Sequence, residues 1–120
     1  MNLKYMDLNH LHLHVLDTEK SRKFYENYFN FKERTWHGEI LFLRNESGFD
    51  LALMPDKNDW KFPEWFHFGF RLNSPEEVKS VFEKIKNGGE KIDTELEVYD
   101  DFVFFRCLDK DNYKLEIYWE

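Results

Sequence analysis

The sequence predicts an α+β fold made of two βαβββ modules whose mixed sheet is curved and lines a cavity, with the helices on the outer face. Three observations lead there. Leu8 to Leu16 alternates apolar and polar residues, the period of a half-buried strand. Ser74-Pro75-Glu76-Glu77 opens a helix with a capping box and proline at the first helical position. Adding 57 to His10, Asp17, Phe24, Tyr25 and Tyr28 gives His67, Ser74, Val81, Phe82 and Ile85, so strand, cap and apolar stripe all recur.

The first strand puts Leu11, Leu13 and Val15 on one face and His10, His12 and His14 on the other. Asp17 can then accept from the unpaired amides of a helix whose stripe is Phe24, Tyr25 and Tyr28, ending near Phe29. Glu33 to His37, Glu39 to Leu43 and Asp50 to Met54 read as three short strands, separated by Gly38 and by Asn45-Glu46-Ser47-Gly48. The stretch from Pro55 to Pro63 has few aliphatic residues and reads as the linker, with modules at 1–57 and 64–120 in one domain. Phe66 to Leu72 alternates again. Val78, Val81, Phe82 and Ile85 form the stripe of the second helix, which Gly88-Gly89 stops. Strands are expected at Thr94 to Val98, Asp101 to Cys107 and Tyr113 to Trp119, with Asp109-Lys110-Asp111-Asn112 as the last turn. A module of this size cannot bury its sheet alone, which is why two are expected to join.

Composition narrows the partners. The 120 residues are 42% hydrophobic and 34% charged, with 13 Phe, 6 Tyr and 4 Trp, which excludes a disordered chain. Seventeen Lys and Arg against 24 Asp and Glu leave a net charge of −7, which repels a phosphate backbone or an anionic bilayer. No nucleic acid and no membrane are expected as partners. The single Cys107 has no partner for an internal disulfide and reads as a small buried hydrophobe. No signal-peptide core is visible near the N-terminus, so a cytoplasmic location is expected.

His10 and His67 are equivalent positions of the repeat, and both fall on the polar face of their strands. In the last strand Leu115, Ile117 and Trp119 share one face and Lys114, Glu116 and Tyr118 the other, so Glu116 can join the same concavity. Two imidazoles and one carboxylate bind a divalent first-row metal while leaving positions open for substrate, as Fe, Mn, Co, Ni or Zn would allow. His10 and His12, neighbours on one strand face, could instead chelate without His67. Arg71, two residues beyond Gly69, is a candidate for binding a substrate carboxylate. His37 has no partner in the repeat and reads as solvated.

These residues resemble the vicinal oxygen chelate superfamily over nearly the whole chain. Leu8-Asn9-His10-Leu11, Asp17-Thr18-Glu19-Lys20-Ser21 and Phe24-Tyr25 resemble its first strand and helix. Trp65-Phe66-His67-Phe68-Gly69-Phe70 resembles the opening of its second module, and Asp109 to Ile117 its closing turn and strand. The resemblance implies a divalent metal held by His10, His67 and Glu116, a small-molecule substrate and a homodimer, in which the two modules of one chain face each other or swap between chains.

Departures from the family's patterns exclude some chemistry. Glyoxalase I adds a fourth ligand, a Glu whose best match here is Ala52, so lactoylglutathione lyase activity is disfavoured; Asp50 on the same face would restore it after a two-residue register shift. Fosfomycin thiol transferases need an Arg beyond the metal-binding Glu, and only Ile117, Tyr118, Trp119 and Glu120 follow Glu116. Extradiol dioxygenases place further His and Tyr near the substrate oxygens, parts that His12, His14 and Tyr118 could play as catalytic residues. The expected function is a metal-dependent enzyme of the glyoxalase or dioxygenase type, with oxygenase or lyase-like chemistry on a small molecule chelated through oxygen atoms. The alternative is a non-catalytic small-molecule or antibiotic-binding resistance protein, like the bleomycin-resistance members, for which 23 aromatic residues would suit.

Overall fold

Alternation in residues 10–15 produces β1 (His10–Val15), which buries Leu13 and Val15 and leaves His10 and His12 outward. The computed structural model describes residues 6–120. Asp17 caps α1 (Thr18–Phe29), its carboxylate accepting from the Lys20 amide at 3.1 Å. Asn30, left-handed at φ 58°, closes the helix, a conformation that asparagine tolerates better than most residues. Three strands follow: β2 (Lys32–His37), β3 (Ile40–Arg44) and β4 (Asp50–Pro55). They form one four-stranded sheet in the order β1-β4-β3-β2, in which β1 and β4 are parallel and the other pairs antiparallel.

The second half repeats the plan. After β5 (Phe68–Arg71) comes α2 (Pro75–Asn87), then β6 (Ile92–Val98), β7 (Val103–Leu108) and β8 (Lys114–Trp119), in the order β5-β8-β7-β6. Again the first and last strands pair in parallel. At the start of α2, Ser74 Oγ accepts from the Glu77 amide at 3.2 Å while Glu77 Oε2 accepts from the Asn73 amide at 2.9 Å. The capping box therefore reaches one residue further back than the usual reciprocal pair. By contacts the chain divides into one compact unit ending at Asn58 and a second from Asp59 to Glu120. Each is a βαβββ module, and the α+β class expected from the sequence is what the chain adopts.

Each unit buries one face of its sheet. In the first, Leu13, Leu53 and Leu41 form one cross-strand row and Leu43 pairs with Leu51, together with buried Phe24, Tyr25 and Phe31. In the second, Phe105 pairs with Ile117 and Cys107 with Leu115, and Val78, Phe82 and Ile85 of α2 are buried with them. Phe82 meets Phe105 edge to face at 5.1 Å. Each such side chain contributes about 1.5–3 kcal/mol of burial free energy. Residues of opposite parity form the other face of each sheet, where the candidate chemistry lies.

Several strand boundaries differ from the sequence expectation, and in three places a hydrogen bond shows why. β5 begins at Phe68, so His67 precedes the strand instead of lying within it; the Phe66 amide is already used on Pro63 O (2.9 Å), and pairing starts with Phe68 opposite Leu115. β4 runs on to Pro55, and the Asp56 amide continues the contact with β1 through Val15 O at 2.9 Å. β7 begins at Val103 because the Tyr99 amide closes a turn onto Phe102 O at 2.8 Å. Among the described residues no helix is long and apolar enough to cross a membrane.

Candidate functional site

In the second unit, Glu116 of β8 pairs in register with Gly69 of β5 on one side and Arg106 of β7 on the other. Gly69 is required there. An added Cβ would lie 2.0 Å from Glu116 O, a backbone atom that cannot swing away, so only glycine lets the two strands approach this closely. Arg106 donates to Glu116 Oε1 through Nε at 3.1 Å, and its Nη2 lies 3.0 Å from the same oxygen, while its guanidinium sits over Phe104 at 5.2 Å. That leaves Oε2 of Glu116 turned to His67 Nε2, at 3.8 Å.

The imidazole of His67 is oriented by the turn before it. Trp65 O can only accept, so His67 Nδ1 donates to it at 2.9 Å and Nε2 is left with the lone pair. An Nδ1–H fixed by a carbonyl is the arrangement that aims a histidine at a metal. Two donor atoms bound to one cation at about 2.0–2.2 Å each lie roughly 3–4 Å apart, and the His67–Glu116 separation falls in that range. The Glu116 side chain is 18% exposed and that of His67 36%, so both can meet a solute. The chemistry of this pair fits a divalent cation.

The first unit carries imidazoles where the second carries other groups. His10 donates from Nδ1 to Asn9 Oδ1 at 2.8 Å, so its lone pair too is on Nε2. His12 pairs with Ala52 in the register in which Gly69 pairs with Glu116, which puts Ala52 at the position equivalent to Glu116. Asp50 pairs with His10 and does not occupy that position. Its carboxylate accepts from Arg44 at 2.7 and 3.0 Å and lies 3.3 Å from Arg34. The Arg44 hydrogen bonds hold its pKa below the usual carboxylate range, against a smaller opposing effect of burial. His14 donates from Nδ1 to Asp56 Oδ2 at 2.6 Å, and its ring meets that of His12 edge to face at 5.1 Å.

Tyr118 pairs with Arg71 across β8 and β5, and Arg71 donates to Glu120 O at 2.8 Å. Cys107 is fully buried on the helix-facing side, and burial, reinforced by Asp109, pushes its thiol up to about 12, so it is not a nucleophile at neutral pH. Within each unit, among the described residues, no group of three or more His, Cys, Asp and Glu side chains gathers. The second unit brings His67 and Glu116 together, and the first lines up His10, His12 and His14. Two partners of the candidate residues were missed from sequence: Arg106, which holds Glu116, and Asp56, which accepts from His14. Counting outward from the Asp109–Asn112 turn pairs 108 with 114 and 106 with 116, which would have found Arg106. No local signal points to Asp56 as a partner of His14, 42 positions away.

A family model for the glyoxalase/bleomycin resistance protein/dioxygenase superfamily matches residues 7–117. The chain belongs to that superfamily. Among solved structures, a possible glyoxalase from Bacillus cereus is similar with a TM-score of 0.81 and 28% identity, covering 94% of this chain and 98% of that one. The genomically encoded fosfomycin resistance protein FosX from Listeria monocytogenes gives 0.84 at 24% identity, covering 97% and 94%. A glyoxalase/bleomycin resistance protein/dioxygenase from Alicyclobacillus acidocaldarius gives 0.75 at 18%, covering 94% and 90%. The last two likenesses carry the fold. None of the curated proteins matches. Glyoxalase-superfamily members typically bind a divalent metal and small molecules, and they often form dimers.

Proposed function

We propose that this glyoxalase-superfamily chain is a metal-dependent enzyme, with His10, His67 and Glu116 as the ligands of a divalent cation (Fe, Mn, Co, Ni or Zn) and oxygenase or lyase-like chemistry on a small molecule. The observation that carries the reading is the facing pair of lone pairs, His67 Nε2 and Glu116 Oε2, with His67 locked by Trp65 O and Glu116 by Arg106. His10 supplies the third donor from its equivalent place in the repeat, in the same chain or from a second copy in a homodimer.

When bound, the cation supplies Lewis-acid polarisation of two neighbouring substrate oxygens. The remaining work belongs to the chain. Arg106 holds one oxygen of Glu116 and so keeps the carboxylate a single-oxygen donor. In this reading His12, about 7 Å along β1 from His10, moves a proton on a chelated substrate, and the Tyr118 hydroxyl donates a hydrogen bond to it. Arg71 uses one N–H on Glu120 O and keeps others for a substrate carboxylate.

A second reading is a non-catalytic trap. It draws on an aromatic row beside Arg106: Phe102 stacks on Phe104 at 4.9 Å, with Tyr118 at 6.3 Å from Phe102. Elemental analysis of protein purified without chelators separates the two. The enzyme reading expects about one metal per chain and a rise in melting temperature on adding Fe(II), Mn(II), Co(II), Ni(II) or Zn(II), both abolished in His67→Ala. No bound metal and no thermal shift would leave the trap.

A further inference from the structure

Arg34 stands outside the regular ladder of the first unit. Glu33 pairs with Leu43 and Thr35 with Phe42, so two steps along β2 face one along β3 and Arg34 is the extra residue of a bulge. A bulge turns a side chain to where regular alternation would not put it. The Arg34 guanidinium lies over the Phe42 ring at 5.3 Å, and its Nε is 3.3 Å from Asp50 Oδ1. Arg44 already engages both oxygens of Asp50, with Nε on Oδ1 at 2.7 Å and Nη2 on Oδ2 at 3.0 Å. Arg34 thus brings a second positive charge to a carboxylate that one guanidinium holds in a two-pronged grip.

The second unit has the same bulge with balanced charge. Ile92 pairs with Cys107 and Thr94 with Arg106, which makes Asp93 the extra residue there. By register, Thr94, Arg106 and Glu116 are the equivalents of Thr35, Phe42 and Ala52, so Asp93 answers to Arg34 and Lys114 to Asp50. Asp93 Oδ2 lies 3.6 Å from Lys114 Nζ, the same link with its signs reversed. Where the first unit adds Arg44 as the strand partner of Asp50, the second has Leu108 as the partner of Lys114. One cation meets one anion in the second unit, and two cations meet one anion in the first. A link from bulge to last strand needs a single pair, so one guanidinium is surplus to it, in a chain whose net charge is −7.

We infer that Arg34 and Arg44 form a site for an oxyanion, a carboxylate or phosphate group of a small molecule, on the open face of the first unit. Arg44 spends two of its five N–H donors on Asp50. The Arg44 and Arg34 side chains are 47% and 34% exposed and that of Asp50 20%, so donors remain accessible above a shielded carboxylate. Guanidinium forks match carboxylate and phosphate oxygens through paired N–H groups. Asp50 pairs in register with His10, so Arg44 stands two strand spacings, about 10 Å, from that residue. Resting on the enzymatic reading above, the substrate is then a small anion whose charged group lies beside the metal-chelating oxygens and is separate from them.

The site itself needs no metal, and the test uses the metal-free full chain. Inorganic phosphate, and acetate in a second series, is titrated at low ionic strength while the side-chain Nε–H signals of 15N-labelled arginines are followed. Saturable shifts of Arg34 and Arg44 are expected, and Arg34→Gln should weaken binding about tenfold, the scale of a charge-assisted hydrogen bond. Asp50→Asn should instead tighten it about fourfold, as expected for removing a negative charge roughly 5 Å away in a watery site. A purely structural ion-pair cluster gives no such gain, because Asp50→Asn only loosens it. Shifts that do not saturate, equal shifts at Arg22 on α1, or no tightening in Asp50→Asn would overturn the inference. Metal uptake without phosphate or acetate binding would overturn this inference alone, and anion binding without metal uptake would overturn the enzymatic reading alone.

Discussion

The two units of this chain share strand order, the parallel pairing of first and last strands, and the capped helix between them, and they differ most at one row of the sheet. In the second unit the row reads Gly69, Glu116, Arg106; in the first, the equivalent row reads His12, Ala52, Phe42. Where the second unit keeps a carboxylate held by a guanidinium, the first keeps an imidazole beside a methyl group. The scaffold tolerates this exchange because the row lies on the face away from the helix, where apolar packing does not dictate residue type. What the scaffold does not tolerate is a side chain at position 69.

That contrast is sharpest under substitution. Gly69→Ala drives a Cβ into the Glu116 carbonyl and is expected to cost about 3 kcal/mol or more, whereas His12→Ala at the equivalent place should change stability by less than about 0.5 kcal/mol. Urea denaturation of both variants measures the difference, and equal effects would show that the close strand approach is not peculiar to the second unit. Next in size is the ligand balance. Glu116→Ala should weaken metal binding by at least about 100-fold, and Ala52→Glu should strengthen it by supplying the carboxylate the first unit lacks, both read by titration calorimetry.

Arg106→Met leaves Glu116 Oε1 without its donor and is expected to cost about 1 kcal/mol at neutral pH, as seen in the melting temperature, with Arg106→Lys restoring part of it. The smallest effect belongs to Asp50. Its folded pKa lies below the unfolded value of about 3.9, so its stabilisation is present above that pH and is lost as pH falls through the folded value. Asp50→Asn should therefore cost about 0.5 kcal/mol at pH 7 and nothing measurable well below pH 3, because the ion pair with half-exposed Arg44 is screened by water. A cost that persists in acid would mean that packing, not charge, holds this row of the first unit.

Cys107 offers a check on the second core. With the thiol pushed up to about 12 by burial, Ellman's reagent at pH 8 should react with it only after denaturation. Rapid reaction in the folded state would show that the helix-facing side of β7 is open to solvent.

The amino-acid sequence by itself determined the elements and their repetition: periods of two in β1 and β8, the caps at Asp17 and Ser74, the stripes of α1 and α2, and the equivalence of His10 with His67. These are local signals, carried by neighbours within a strand or a turn of helix. The glycine at 69 looked like one more residue of an alternating strand, since nothing local shows that a carbonyl from β8 will lie against it. The tertiary structure alone decided which donor took which oxygen of Glu116, that His67 would stand one residue outside its strand, and that Asp56 would close on His14. Those outcomes depend on strand register and on where a turn uses up its amides, and both are set by packing between segments far apart in the chain.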